Sequence, residues 1–314
     1  MLTALTLAAL LAAPGDLKTP DTLQPLADQL NAICLKFGGR IGYSLKTLRD
    51  GKQISFRGDE VFPSASTIKT GVMIAAIQMV DDGKMTWKDT RVVPKLENRE
   101  ASMWSYWFRE GTKCDLDGWV NLMVGVSDNT ATMVVRDWIG TLEVNRRLEA
   151  LGLKRTKILG NAPESATEVR HLRTIYGMGM TTPNEMLRLL ELVHQRKAAS
   201  EAGCDKAIRI LAKQYWDDWI AGAVPPNVRS ATKSGAITRS RSDTGIVYSY
   251  NPYLLTIYTD DQKDRRWAPD NEGDLTIVKM SGLVWNYLHP SQPYTPPPGF
   301  EKFTPTGGGV EDSG

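Results

Sequence analysis

The chain has 314 residues, 41% of them hydrophobic and 24% charged, and Lys+Arg 38 against Asp+Glu 36 leaves a net charge of +2. Such composition excludes wholesale disorder, collagen and a coiled coil, and the even charge balance, with no like-charge run of five, argues against a nucleic-acid surface or a polybasic membrane patch. Three cysteines (Cys34, Cys114, Cys204) without CxxC spacing and three scattered histidines (His171, His194, His289) without HExxH point to no metal and no cofactor.

Leu2 to Ala13 is almost continuously apolar, and Pro14-Gly15-Asp16 stops it. The run is too short to span a bilayer as a helix; its length suits the apolar part of a secretory leader over residues 1–18, although no basic residue precedes it, and a buried first helix is the alternative. Export to a periplasmic or extracellular space is therefore expected. The odd cysteine count permits at most one internal disulfide, and buried free thiols are expected. Thr22 to Phe37 carries Leu23, Leu26, Leu30 and Ile33 at helical spacing. Arg40 to Leu45 and Lys52 to Phe56 read as strands joined at Asp50-Gly51, a hairpin dipeptide. Ser66 to Asp82 is apolar nearly all round, the mark of a buried central helix. Further helical stretches run to about Lys213. Arg229 to Ala236, Gly245 to Ser249 and Leu254 to Thr259 are β-rich, and Leu275 to Tyr287 reads as a last helix. Strands first and last with helices between predict an α/β layer (about 19–62 and 210–288) joined to an all-helical lobe (about 63–209). The segment 289–314 holds six of the 17 prolines and reads as a disordered tail.

Three short stretches carry chemistry. Ser66-Thr67-Ile68-Lys69 is S-x-x-K, and on a helix positions i and i+3 share a face, so the lysine amine can reach the serine hydroxyl. A serine is a weak nucleophile until a base takes its proton, and a lysine among apolar groups can have its pKa lowered enough to serve. The unpaired N–H groups of that first turn suit a developing oxyanion. Ser127-Asp128-Asn129 follows an apolar helix and is equally a helix N-cap for Thr130 to Ile139. Lys233-Ser234-Gly235 sits in a strand, where it could be an ordinary edge with a glycine bulge or a surface for a ligand.

Each stretch alone has a bland explanation, but S-x-x-K, S-D-N and K-[ST]-G in that order resemble the signature set of class A β-lactamases and penicillin-binding proteins. EGTKCDLDGWVNLMVGVSDNTATMVVRDWIG, Thr181-Thr182-Pro183, Val224-Pro225-Pro226-Asn227 and Leu254 to Thr259 extend the resemblance to about residues 22–288. It implies a β-lactamase/transpeptidase-like α/β (α+β) fold, an antiparallel sheet with flanking helices plus a helical lobe. It also implies serine acyl transfer through a covalent acyl-enzyme. By the same resemblance Ser66 is the nucleophile, Lys69 its proton partner, and Ser127 the hydroxyl that passes a proton to the departing nitrogen. Asn129 orients Lys69 and the substrate amide. Lys233 and Ser234, with Gly235 beside them, receive the substrate carboxylate. The N–H groups of Ser66 and Ala236 form the oxyanion hole.

Two departures stand out. The family's E-x-x-L-N before T-T-P is replaced by NAPESATEVRHLRTIYGMGMTTP, where Glu164 and Glu168 are either candidates for activating a deacylating water or solvated loop charges. The family's arginine on the neighbouring strand is replaced by Thr244, with Arg239 and Arg241 just upstream as candidates to hold the carboxylate. Trp104, Tyr106 and Trp107 could wall the cleft or simply pack. The expected partner is a small-molecule β-lactam or D-Ala-type peptide, bound by a monomer with no nucleic acid and no stable membrane span. A D,D-peptidase or esterase that β-lactams acylate but leave slowly is one alternative; an inactive cell-envelope binding module is another.

Overall fold

The computed structural model describes residues 21–99 and 104–297. The leader segment lies outside the described residues. Helix α1 (Gln24–Lys36) precedes strands β1 (Arg40–Thr47) and β2 (Gln53–Phe56), which turn back on each other at Gly51, where φ is +71°. The chain then leaves the sheet through α2 (Lys69–Asp81), α3 (Leu116–Gly125), α4 (Asn129–Ile139), α5 (Thr141–Ala150), α6 (Thr167–Tyr176), α7 (Pro183–His194) and α8 (Glu201–Leu211). It returns as β3 (Arg229–Ile237), β4 (Ser240–Tyr248) and β5 (Tyr253–Asp260), and α9 (Glu272–Leu288) follows. The five strands form one antiparallel sheet in the order β2-β1-β5-β4-β3, so β3 is an edge.

The two-residue period of a strand divides its side chains between two cores. On β5, Leu255 and Ile257 join Leu26, Leu30, Val284 and Trp285 on the side covered by α1 and α9. Leu254 and Tyr258 join the helical lobe instead, which is built around α2. Residues 69–77 of α2 are buried on every side, as its apolar composition predicts. The helix is shorter than the sequence suggests, because Ala65–Ile68 winds as a 3-10 turn before it. Cys34 and Cys204 are buried and Cys114 is half-buried, all three as free thiols. Burial pushes the Cys34 thiol up to about 12. No helix among the described residues is long and apolar enough to cross a membrane.

The expectation of a disordered tail needs correction for its first residues. Beyond α9 the chain folds back, with Trp285 donating to Gln292 O at 2.9 Å and Asn286 exchanging bonds with Tyr294 at 2.7 and 3.1 Å. Residues 298–314 lie outside the described residues. At the hinge His289 is fully buried, stacked on Trp285 at 3.8 Å. Its two nitrogens face Ser249 Oγ at 2.7 Å and Trp285 O at 3.0 Å, partners that suit a neutral ring accepting from the hydroxyl and donating to the carbonyl. Burial pulls its pKa down to about 4, against the opposing Trp285 carbonyl. Because the folded value lies below the unfolded one, its contribution is complete above about pH 6.5 and is lost as pH falls toward 4. Urea unfolding at about pH 7.5 and about pH 5 should show a larger loss of stability in the wild type than in His289→Phe. Equal losses would contradict this account.

Candidate active site

The Ser66 turn is shaped by its backbone. Ala65 is buried with φ +42°, and Thr67 closes the turn by donating its N–H (3.1 Å) and hydroxyl (2.7 Å) to Ser64 O. In a 3-10 turn side chains three apart eclipse one another, so Ser66 and Lys69 lie on one side. Ser66 is half-buried, while Lys69 is fully buried. Lys69 Nζ meets Ser127 O at 2.7 Å, Ser127 Oγ at 3.2 Å and Asn129 Oδ1 at 2.8 Å. None of its bonds among the described residues goes to Ser66 in this arrangement. Burial holds the Lys69 ammonium well below the ordinary lysine range; the Lys233 charge pushes the same way and Asp128 pushes back.

Ser127 reaches that position from a left-handed backbone, φ +60°. The next residue fixes the bend: Asp128 caps α4 by accepting from Ala131 N at 2.8 Å, and its other oxygen accepts from Ser105 N at 2.8 Å. The S-D-N stretch is thus a helix cap and the bearer of a site hydroxyl together, since the middle residue does the capping and the outer two turn toward Lys69.

Lys233 arrives on the helical-lobe face of edge strand β3, the face it shares with Ala231. Its Nζ meets Ser127 Oγ at 3.1 Å, Gln214 Oε1 at 2.7 Å and Ser234 O at 2.9 Å. Burial pulls it down to about 7, opposed by Asp243. Asp243 itself is pushed up to about 7 by burial, although it accepts from Ile220 N and Thr244 N at 2.8 Å each. The Ser127 hydroxyl therefore stands between two amines. A neutral Lys69 has two N–H donors for Ser127 O and Asn129 and keeps a lone pair for a serine hydroxyl, while an ammonium at Lys233 fills its three acceptors. Gly235 brings β3 against the serine turn: a Cβ there would sit 2.8 Å from Ser66 N and 3.0 Å from Ser64 O. Ser234 N–H points off the sheet edge to Gln214 Oε1 at 3.2 Å. By the two-residue period the N–H of half-buried Ala236 points the same way.

The remaining candidates are not brought in. Arg241 is corrected: it lies on the α9 face of β4, one strand period from Asp243 and opposite to Lys233. It is 1% exposed, paired with Asp274 at 2.9 Å and stacked on Trp267. Arg239 pairs with Asp260 at 2.8 Å and Asp261 at 3.1 Å, and donates to Ile175 O at 2.6 Å. Both guanidiniums are spoken for. Glu164 and Glu168 are exposed, on the loop before α6 and in its first turn, and neither is among the groups that bond Lys69, Ser127 or Lys233. Trp107 is 85% exposed; Trp104 instead packs edge-on against Tyr215, with ring centroids 5.6 Å apart. Gln214 is the participant that sequence reasoning missed, because a single glutamine between Lys213 and Tyr215 belongs to no motif.

A half-buried serine on a strained turn, a buried lysine in line with it and a hydroxyl shared with a second lysine define a serine hydrolase site of the class A β-lactamase and penicillin-binding kind. The chain matches the family model described as the beta-lactamase enzyme family over residues 25–288, and it belongs to that family. It is 23% identical over 261 residues to beta-lactamase BRO-1 of Moraxella catarrhalis, covering 81% of each chain. It is 27% identical over 240 residues to beta-lactamase AER-1 of Aeromonas hydrophila, covering 70% of this chain and 72% of that one. Among solved structures it resembles a β-lactamase of Sphaerobacter thermophilus (TM-score 0.72, 23% identity, 84% and 97% of the chains). PBP-A is similar to the same degree (TM-score 0.72, 24% identity, 86% and 98%).

The left-handed Ser127 gives a measurable signature. Glycine relieves such strain and alanine does not, so Ser127→Gly should be more stable than Ser127→Ala by about 1 kcal/mol in urea unfolding, both lacking the hydroxyl. Equal stabilities would mean that the turn is unstrained.

Proposed function

We propose that the protein opens β-lactams, or related D-Ala-type amides, through an ester on Ser66. Lys69 as free amine takes the Ser66 proton, and Ser66 Oγ attacks the carbonyl. The oxyanion lies between the N–H groups of Ser66 and Ala236. As the C–N bond breaks, the Ser127 hydroxyl gives its proton to the departing nitrogen and is reprotonated through the lysines on either side of it. Lys233 and Ser234 hold the substrate carboxylate, and Asn129 receives its side-chain amide. Water then hydrolyses the ester. The observation that carries this reading is the Ser127 hydroxyl held by Lys69 at 3.2 Å and Lys233 at 3.1 Å beside the Ser66 turn. A monomeric state and export, the latter carried by the Leu2–Ala13 segment, belong to the same proposal.

One observation favours a slow second half. Glu164 and Glu168 are both solvent-exposed, and removing a placed general base typically costs roughly 10²–10⁴-fold. A β-lactam adduct would then outlast the acylation step, as in a penicillin-binding D,D-peptidase or esterase. A variant of the structural relative PBP-A has been captured as an acyl-enzyme complex with penicillin G.

Mass spectrometry of the protein mixed with benzylpenicillin and followed over time tests both halves. A single adduct on Ser66 should form, decay slowly and be absent from Ser66→Ala. Glu164→Gln and Glu168→Gln should leave the decay unchanged. Labelling of Ser66→Ala would overturn the nucleophile, and a strong slowing in either glutamine variant would identify the base.

A further inference from the structure

We infer that Gln214 is a positioning residue whose neutral amide aligns Lys233 while leaving its positive charge for an anionic group of the substrate. The inference rests on the proposed acyl transfer and adds to it a residue that sets preference for anionic acyl donors.

Gln214 is 5% exposed and reads three consecutive residues of β3. Its Nε2 donates to Thr232 Oγ1 at 3.2 Å, while its Oε1 accepts from Lys233 Nζ at 2.7 Å and Ser234 N at 3.2 Å. Its two neighbours hold the opposite wall. Tyr215 N donates to Gly125 O at 2.7 Å, and Trp216 Nε1 donates to Val126 O at 3.1 Å, directly before Ser127. The tripeptide 214–216 thus ties the residues before Ser127 to the K-S-G strand, and it holds Ser127 and Lys233 at the distance that proton delivery needs.

The chemistry of the acceptor matters as much as its place. All three acceptors around Lys233 Nζ are neutral: a hydroxyl, an amide oxygen and a peptide carbonyl. A carboxylate in place of the amide would make the same contacts but cancel the charge. Two charged groups act on Lys233: Lys69 across Ser127, which repels it, and Asp243 on β4, which attracts it from the opposite face of the sheet. Asp243 directs its two oxygens to the N–H groups of Ile220 and Thr244, so it attracts Lys233 without bonding it. The charge that remains can meet a ligand carboxylate at the sheet edge.

Gln214→Glu tests this directly. It keeps an oxygen for Lys233 and Ser234 N, and the Thr232 hydroxyl can turn to donate to the second oxygen. The second-order rate of Ser66 acylation is compared for benzylpenicillin and its neutral methyl ester. Gln214→Glu should slow the anionic donor about tenfold or more beyond any slowing of the ester, because a carboxylate 2.7 Å from Lys233 competes with the substrate's own. The alkaline limb of the acylation profile should also move upward by about one pH unit, since the new anion favours the ammonium form. Gln214→Met removes the acceptor without adding charge. It should slow both donors alike and keep their ratio, and it carries the test should the glutamate variant not fold. A Gln214→Glu protein that keeps the wild-type ratio and pH limb overturns the inference alone, as does Gln214→Met acylating both donors at wild-type rates. A wild type that forms no adduct overturns the Ser66 reading, and this inference with it.

Discussion

Two buried amines share one hydroxyl, and the rest of the site is arranged around that fact. Lys69 and Lys233 both lie within hydrogen-bond distance of Ser127 Oγ, so their nitrogens are at most about 6 Å apart, and both are fully buried. Two ammonium groups at that separation would repel by about 3 kcal/mol at an effective dielectric of about 20, in addition to the desolvation of each. Shedding one proton removes the repulsion and the desolvation cost of that amine. Lys69 is pressed harder, by burial first and by the neighbouring charge second. Both amines are thus pressed toward the neutral form by burial, and the proposed chemistry asks their surroundings to hold one as a base and the other as a cation.

Such an arrangement is unstable unless the backbone enforces it, and the cost shows as local strain. Ala65 and Ser127 both occupy left-handed conformations that glycine would adopt more easily. The strained loops are tied down by ordinary devices. Asp128 caps α4 and holds Ser105, Thr67 closes the serine turn, and Gly235 lets the edge strand approach Ser66 N without a Cβ in the way. The antiparallel sheet supplies the register that sets Lys233 across from Thr244 and on the lobe-facing side. Both halves of the site therefore borrow their rigidity from the helical-lobe core, the serine turn through Ile68 and the lysine strand through Ala231.

How much of this can be read from residues alone depends on how local the cause is. Elements with strong periodicity were legible: α1, the Asp50-Gly51 hairpin, the apolar α2 and the first and last of the three late strands appear within a few residues of where the sequence predicts them, while the middle one starts at Ser240 rather than Gly245. The three motifs were legible because their spacing is short, and the family match over residues 25–288 agrees with the resemblance they carry. Register was not legible. Arg241 looked like a cleft residue until the β3–β4 pairing turned it toward Asp274, and that pairing depends on the length of a hairpin rather than on any residue type. Gln214 was hidden for the opposite reason: its importance lies entirely in long-range contacts with residues 232–234, and glutamine has no local signature. Residues 289–297 read as tail from their prolines, yet Trp285 and Asn286 supply hydrogen bonds that hold them against α9.

The claim at the centre is the unequal protonation of the two lysines, and nitrogen NMR of the side-chain amines, with ¹⁵N-lysine and assignment by Lys69→Met and Lys233→Met, observes it without any substrate. As pH rises, the Lys69 amine should lose its proton first and Lys233 next, both far below the ordinary lysine value of about 10.4. Two resonances that titrate together near that ordinary value would show two solvated ammonium groups, and the shared-hydroxyl account would be wrong.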